Sequence, residues 1–234
     1  MSRVRFSTVT RVGHMGDLTH DGERLRQVEQ LYEAAVFGGD SQAPAQAERV
    51  LDALQADLAL ARGKALHARY LAVRKEVDKG REGELFDQAL TLYRAVGDVR
   101  GEGEALFWLG TWHQVVREAY DEAVPCFRQA YDLAASVGDR LTLSYATRHL
   151  AYAAEAAGRT DEARTRFEES VRLREELGFL PGVAAAKLSL GEFRWQTDGD
   201  REGALRLMEE ARVTAEKCGA HGVLAWIASA RAGM

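Results

Sequence analysis

The sequence predicts an all-α protein, an α-solenoid of stacked antiparallel helix pairs, and three observations lead there. A glycine closes a helical stretch at Gly97, Gly138, Gly178 and Gly219, so the closures stand 41, 40 and 41 residues apart. A fixed period in this range marks supersecondary units stacked on one another. Upstream of each glycine the same stripe returns. Fifteen residues back stand Glu82, Ala123, Ala163 and Ala204, eleven back Phe86, Phe127, Phe167 and Met208, and eight back Ala89, Ala130, Ser170 and Ala211. These offsets put a small, a large apolar and another small residue on one helical face, where the small positions let a neighbouring helix approach. The third observation is compositional: three prolines in 234 residues, among abundant Ala, Leu, Glu and Arg, favour helix and leave little room for sheet.

Taken in chain order, residues 1–20 show no sustained periodicity and are expected to be loosely attached. A helix is expected over 21–37, with Leu25, Val28, Leu31, Tyr32 and Ala35 on one face, broken by "GGDSQAP" and resumed from Ala47, where the pattern allows a break near Ala56. This front section, 21–57, has the look of a worn repeat. Four paired-helix units follow at 58–97, 98–138, 139–178 and 179–219; the first is degenerate, with Glu82 where a small residue belongs and Lys64 at a core position. Within the first helices Ala105, Leu109, Trp112 and Val116 return as Ala146, Leu150, Ala153 and Ala157, then as Ala186, Leu190 and Phe193. Pro44, Pro125 and Pro181 fall where first turns are expected, and Asp121, Asp139, Thr160 and Asp200 read as N-caps. The last segment, 220–234, lacks a partner helix and should seal the final apolar face.

The stretch "AVGDVRGEGEALFWLG" at 95–110 carries glycines that suggest a phosphate-binding loop. Such a loop follows a strand and opens a helix. Here the preceding "FDQALTLYRAVG" has helical periodicity, and the next unit replaces Gly101 and Gly103 with Thr142 and Ser144. Gly97 therefore reads as a helix end, Asp98 as a cap and Gly110 as a packing residue.

The segments "LGTW…EAVPCFRQA", "LAYA…EARTRFEES" and "LGEF…GALRLMEEA" resemble tetratricopeptide repeats, in a longer form of about 40 residues. The resemblance spans roughly 58–231. It implies a right-handed superhelix whose first helices line a concave groove that holds a protein or peptide, and it resembles the repeat regions that accompany bacterial regulators. On the stripe opposite the core, the first helices would present Phe107, Thr111 and Gln114, then Tyr145, Arg148, Tyr152 and Glu155, then Leu188, Glu192 and Trp195. Rings supply contact area at low entropy cost and arginine binds carboxylate bidentately, so this stripe suits an extended peptide or amphipathic helix. The alternative for Phe107 and Trp195 is burial between units. Some tetratricopeptide proteins grip a terminal carboxylate with lysine and asparagine from successive first helices; this chain has no asparagine.

Other chemistries are poorly served. The net charge of −5 argues against nucleic acid, and no segment approaches a membrane span. Cys126 and Cys218 lie far apart without metal spacing, which points to a reducing compartment and a cytoplasmic setting. The arginine-rich, asparagine-free composition resembles that of a GC-rich bacterial genome. His149, beside Arg148, is the most interesting of six scattered histidines and reads as structural or merely solvated. No cofactor is implied and no nucleophile or phosphate signature is present. The reading is a non-catalytic scaffold or adaptor; the alternatives are a small-molecule or signal-peptide receptor and, further off, an enzyme of unrecognised type.

Overall fold

The computed structural model describes residues 16–73 and 79–234, which form ten α-helices and no strand. The expected looseness of residues 1–20 lies mostly outside the described residues. Two compact units divide the chain, Met1–Leu54 and Gln55–Met234.

The described part of the first unit holds α1 (Gly16–Val36) and the start of α2 (Ala43–Val73). Val28, Leu31 and Ala35 are partly covered, whereas Leu25 and Tyr32 are exposed, so the apolar stripe of α1 is narrower than its sequence suggests. Gly39 adopts φ 71° after α1, and the Asp40 carboxylate accepts the Gln42 amide at 2.8 Å before α2 begins. The expected break near Ala56 is absent; α2 runs unbroken for 31 residues. Beyond Pro44 it contains no proline, and its Ala-, Leu- and Arg-rich sequence favours helix throughout.

The second unit contains the rest of α2 and α3 (Lys79–Val96), α4 (Val99–Val115), α5 (Tyr120–Val137), α6 (Arg140–Ala156), α7 (Thr160–Glu176), α8 (Leu180–Asp198), α9 (Arg201–Cys218) and α10 (His221–Ala232). Neighbouring helices pack in sequence order, α4 on α5, α6 on α7 and α8 on α9, as a helical-repeat solenoid requires. The period-setting glycines are the helix ends: Gly97, Gly138, Gly178 and Gly219 all take φ between 65° and 77°, a left-handed conformation that glycine reaches without Cβ strain. Asp98, Asp139 and Asp200 cap the helices that follow, accepting from Gly101, from Leu141 and Thr142, and from Gly203. Asp121 and Thr160 do not cap. They lie inside α5 and α7, whose N-caps are Ala119 and Arg159 without side-chain bonds. Pro125 likewise sits a turn inside α5 rather than in its first turn, because the helix starts at Tyr120.

The stripe read from the repeat is the core. Phe86, Phe127, Phe167 and Met208 are buried, as are the small residues around them. A buried side chain of this size contributes about 2–3 kcal/mol. Gly101, Gly103 and Gly110 all lie inside α4, preceded by helix α3, so no phosphate loop exists here. The degenerate first unit has its own solution. Buried Glu82 meets His67 of α2 at 2.8 Å, and the His67 ring packs edge-on against Trp108. Lys64 is not in the core; its ammonium pairs with Glu104 at the surface and lies over the Trp108 ring. At the far end Val223 and Ile227 of α10 cover Ala184, Leu188, Met208, Ala211 and Ala215.

Candidate binding surface on the even-numbered helices

Within the second unit the first helices of successive pairs approach one another directly, α4 against α6 and α8 against α10. Polar side chains join them further. Gln114 Oε1 of α4 accepts from His149 Nδ1 of α6 at 2.5 Å; the Tyr152 hydroxyl donates to Ser189 Oγ of α8 at 2.6 Å; the Thr197 hydroxyl of α8 donates to Glu155 at 3.1 Å. Side chains selected from the sequence thus link α4, α6 and α8 laterally.

The selected residues divide by burial. Phe107, Thr111 and Leu188 are buried. The Phe107 ring stacks on Tyr145 at 5.2 Å and meets Phe127 and His149, Thr111 donates to the Phe107 carbonyl, and Leu188 belongs to the cluster under α10. Gln114, Tyr145, Arg148, Tyr152, Glu155, Glu192 and Trp195 are partly exposed. Tyr152 also packs its ring edge on Phe167 at 5.0 Å. Burial raises the Glu192 carboxyl above its ordinary range; Glu155 reinforces the shift and Arg148 opposes it.

His149 is structural in geometry. It is buried between Phe107 and Phe127, and burial, with Arg148 and Arg174 nearby, holds its pKa well below the usual histidine value. It is therefore neutral, with the Nδ1 proton donated to Gln114.

One residue of this region was not selected from the sequence. Arg174 of α7 is fully buried, with its guanidinium 4.6 Å from the Tyr145 ring centre. Nη1 donates to the Gly182 carbonyl at 3.0 Å and Nε to Ser144 Oγ at 3.4 Å, while Nη2 has no partner. Burial pushes its pKa down to about 9, with Arg148 adding to the effect, so it stays cationic at neutral pH. The Nε of Arg148 is also buried without a partner. The repeat register carries a signal for both. Four residues before each closing glycine stand Tyr93, Ala134, Arg174 and Ala215, and ten after it Phe107, Arg148 and Leu188. The mates Tyr93, Ala134, Ala215, Phe107 and Leu188 are buried and mostly apolar, whereas Ser229 of the closing helix, ten after Gly219, is exposed.

Among the described residues no group of three His, Cys, Asp or Glu side chains could hold a metal ion, and no helix is long and apolar enough to cross a membrane. Cys126 and Cys218 are free thiols, and burial raises the Cys126 pKa.

The family model for the tetratricopeptide repeat matches residues 103–176, from within α4 to the end of α7. No curated protein sequence matches the chain. Among solved structures, the crystal structure of aspartyl phosphate phosphatase F from Bacillus subtilis is similar, with a TM-score of 0.60 at 11% identity, over 94% of this chain and 70% of that one. At that identity the likeness is one of fold. Residues 103–176 are thus similar to tetratricopeptide repeats, and they lie within a helical solenoid that continues through α8, α9 and α10.

Proposed function

We propose that this protein is a non-catalytic adaptor that holds a protein or peptide partner along α4, α6 and α8, in a regulatory role in a bacterial cytoplasm. Helical-repeat solenoids of this kind present extended surfaces for protein partners. The observation that carries the reading is the strip formed by Arg148, Glu192 and Trp195 with the partly exposed faces of Tyr145 and Tyr152. It combines rings, a partly exposed guanidinium without an ion pair and a carboxylate on helices already locked together by the Gln114–His149 and Tyr152–Ser189 bonds. Rigid aromatic and arginine anchors on a preorganised frame lose little entropy on binding. The arginine-rich, asparagine-free composition supports the bacterial setting.

Affinity purification from the native organism with mass spectrometry identifies the partner. Calorimetric titration then compares the parent chain with Arg148→Ala and Trp195→Ala. These two are preferred to Tyr152→Ala, whose ring also packs on Phe167. Each is expected to weaken binding by about 1–4 kcal/mol with little change in melting. Unaltered affinity in both variants moves the partner off this strip.

A further inference from the structure

Among the covered cations described in the second unit, charge pairing is broken at one place. Arg164, Arg166, Lys187, Arg194, Arg212 and Arg231 are all at least partly covered, and each has a carboxylate within 4.0 Å. Arg148 and Arg174 are the covered cations of this unit that have none among the described residues. Both also keep a buried N–H donor without any partner. Removing a guanidinium from water is costly unless it is paired, and an unused buried donor adds to that cost. Arg148 is close enough to lower the proton affinity of Arg174, and two like charges at that separation repel.

The two groups share one place. Tyr145, Arg148 and Tyr152 are spaced three and four residues apart on α6, which puts them on one face. The Arg174 guanidinium lies against the Tyr145 ring, one turn from Arg148. Arg174 is fixed there by the Gly182 carbonyl and Ser144, so its position does not depend on a ligand. Glu192, the acid whose carboxyl Arg148 influences electrostatically, does not reach ion-pair distance.

Resting on the reading of this strip as the partner's path, we propose that Arg148 and Arg174 form a built site for a carboxylate, supplied by an acidic side chain of the bound protein. The carboxylate meets Arg148 directly from the partly exposed side, and Arg174 reinforces it from beneath Tyr145. An anion here gives Arg148 a counter-charge and offsets the repulsion between the two cations. Charge-assisted bonds of this type are the strong ones, and guanidinium matches carboxylate geometry. The site draws on a buried second-helix arginine, so it differs from a clamp of lysine and asparagine on successive first helices, which this asparagine-free chain cannot build.

The test uses glutarate and the full-length protein labelled with nitrogen-15. Arginine Nε–Hε resonances are assigned through Arg148→Lys and Arg174→Lys and followed during titration, with sodium chloride at matched ionic strength and the neutral diamide as controls. The Arg148 and Arg174 signals should move together and saturate with a dissociation constant of about 10 mM or tighter. Neither control should reproduce this, and Arg148→Leu should weaken the effect at least about tenfold. Absence of a saturable shift beyond the chloride control overturns the site. Stability separates binding from a structural role: Arg148 makes no internal polar bond at Nε, and its register mates are Phe107 and Leu188, so Arg148→Leu should melt at or above the parent temperature. A marked drop would make Arg148 a structural residue and overturn the inference. Glutarate binding alongside a partner indifferent to Trp195→Ala and Arg148→Ala keeps the site and removes the partner from the strip. A partner dependent on Trp195, with no response to glutarate, does the reverse.

Discussion

Replacing Gly103 and Gly110 separately by alanine tests whether the glycines of α4 serve helix packing. Both lie in the same helix, so each substitution gains about 0.5–1 kcal/mol from reduced backbone freedom in the unfolded chain. Their surroundings differ. A Cβ at Gly103 would meet the Leu133 Cβ at 3.4 Å, an ordinary contact. A Cβ at Gly110 would stand 2.8 Å and 2.9 Å from two atoms of the Phe127 ring and 3.1 Å from the Cys126 Cβ. Phe127 is fully buried in the largest core cluster, so its ring cannot swing into solvent to make room. Overpacking of this sort costs about 1–3 kcal/mol. Gly103→Ala should therefore stabilise by up to about 1 kcal/mol and Gly110→Ala destabilise by about 1 kcal/mol net, so the variants differ by about 2 kcal/mol. For a chain of this length that separates the melting temperatures by roughly 6 °C. Urea unfolding followed by far-ultraviolet circular dichroism gives the midpoints. Equal midpoints, or Gly110→Ala the more stable, would refute the packing argument for α4 and α5.

Ile227→Ala on α10 removes a buried side chain from the cluster that covers Met208 and Ala211, and should cost about 2–4 kcal/mol and raise self-association in sedimentation. Glu82→Ala should cost about 1–3 kcal/mol by leaving the His67 ring buried without its partner, and adding His67→Leu should recover part of that loss, read as a non-additive double-mutant cycle. His149 is held neutral in the folded protein because burial lowers its pKa, so its stabilising effect is complete above the unfolded-state value near 6.5. As pH falls below that, the unfolded chain takes up a proton that the folded one refuses, and stability drops by up to about 1.4 kcal/mol per pH unit. His149→Gln should lose stability less steeply than the parent between roughly pH 6.5 and 5, measured by urea midpoints.

The helices of the second unit were legible because their constraints are local and repeated. A left-handed turn selects glycine, a close helix approach selects alanine or serine, and the gap between them selects phenylalanine or methionine; each choice recurs at the same offset. Readings that depended on a boundary of one or two residues shifted. Asp121 and Thr160 look like caps by composition, yet the N-caps of α5 and α7 are Ala119 and Arg159, two and one positions earlier, so their side chains lie inside the first turn. Lys64 shows the same weakness of pattern alone: its spacing is that of a core residue, but a lysine stem can lie along Trp108 while its charge pairs at the surface.

The candidate strip was only half legible, and the reason is physical. Projection onto a helical face finds side chains that point toward solvent, and so it found Arg148, Tyr152 and Trp195. It cannot tell an exposed ring from one covered by the next unit, which is why Phe107 and Leu188 appear in the projection and are buried in the fold. Nor can it find a cation that enters the strip from beneath. Arg174 belongs to a second helix and occupies the position held by Tyr93, Ala134 and Ala215 in the other units. Only comparison of units at equal register separates it from the many arginines that pair on the surface. At that register the α6–α7 pair stands apart: it places charge at two positions that α3, α4, α5, α8 and α9 fill with buried, mostly apolar side chains. Stability favours the neighbours' choice, since well-packed apolar replacements of buried charges are commonly neutral or stabilising. A position where stability is given up, on a helix face where a partner would lie, is where binding chemistry is to be sought.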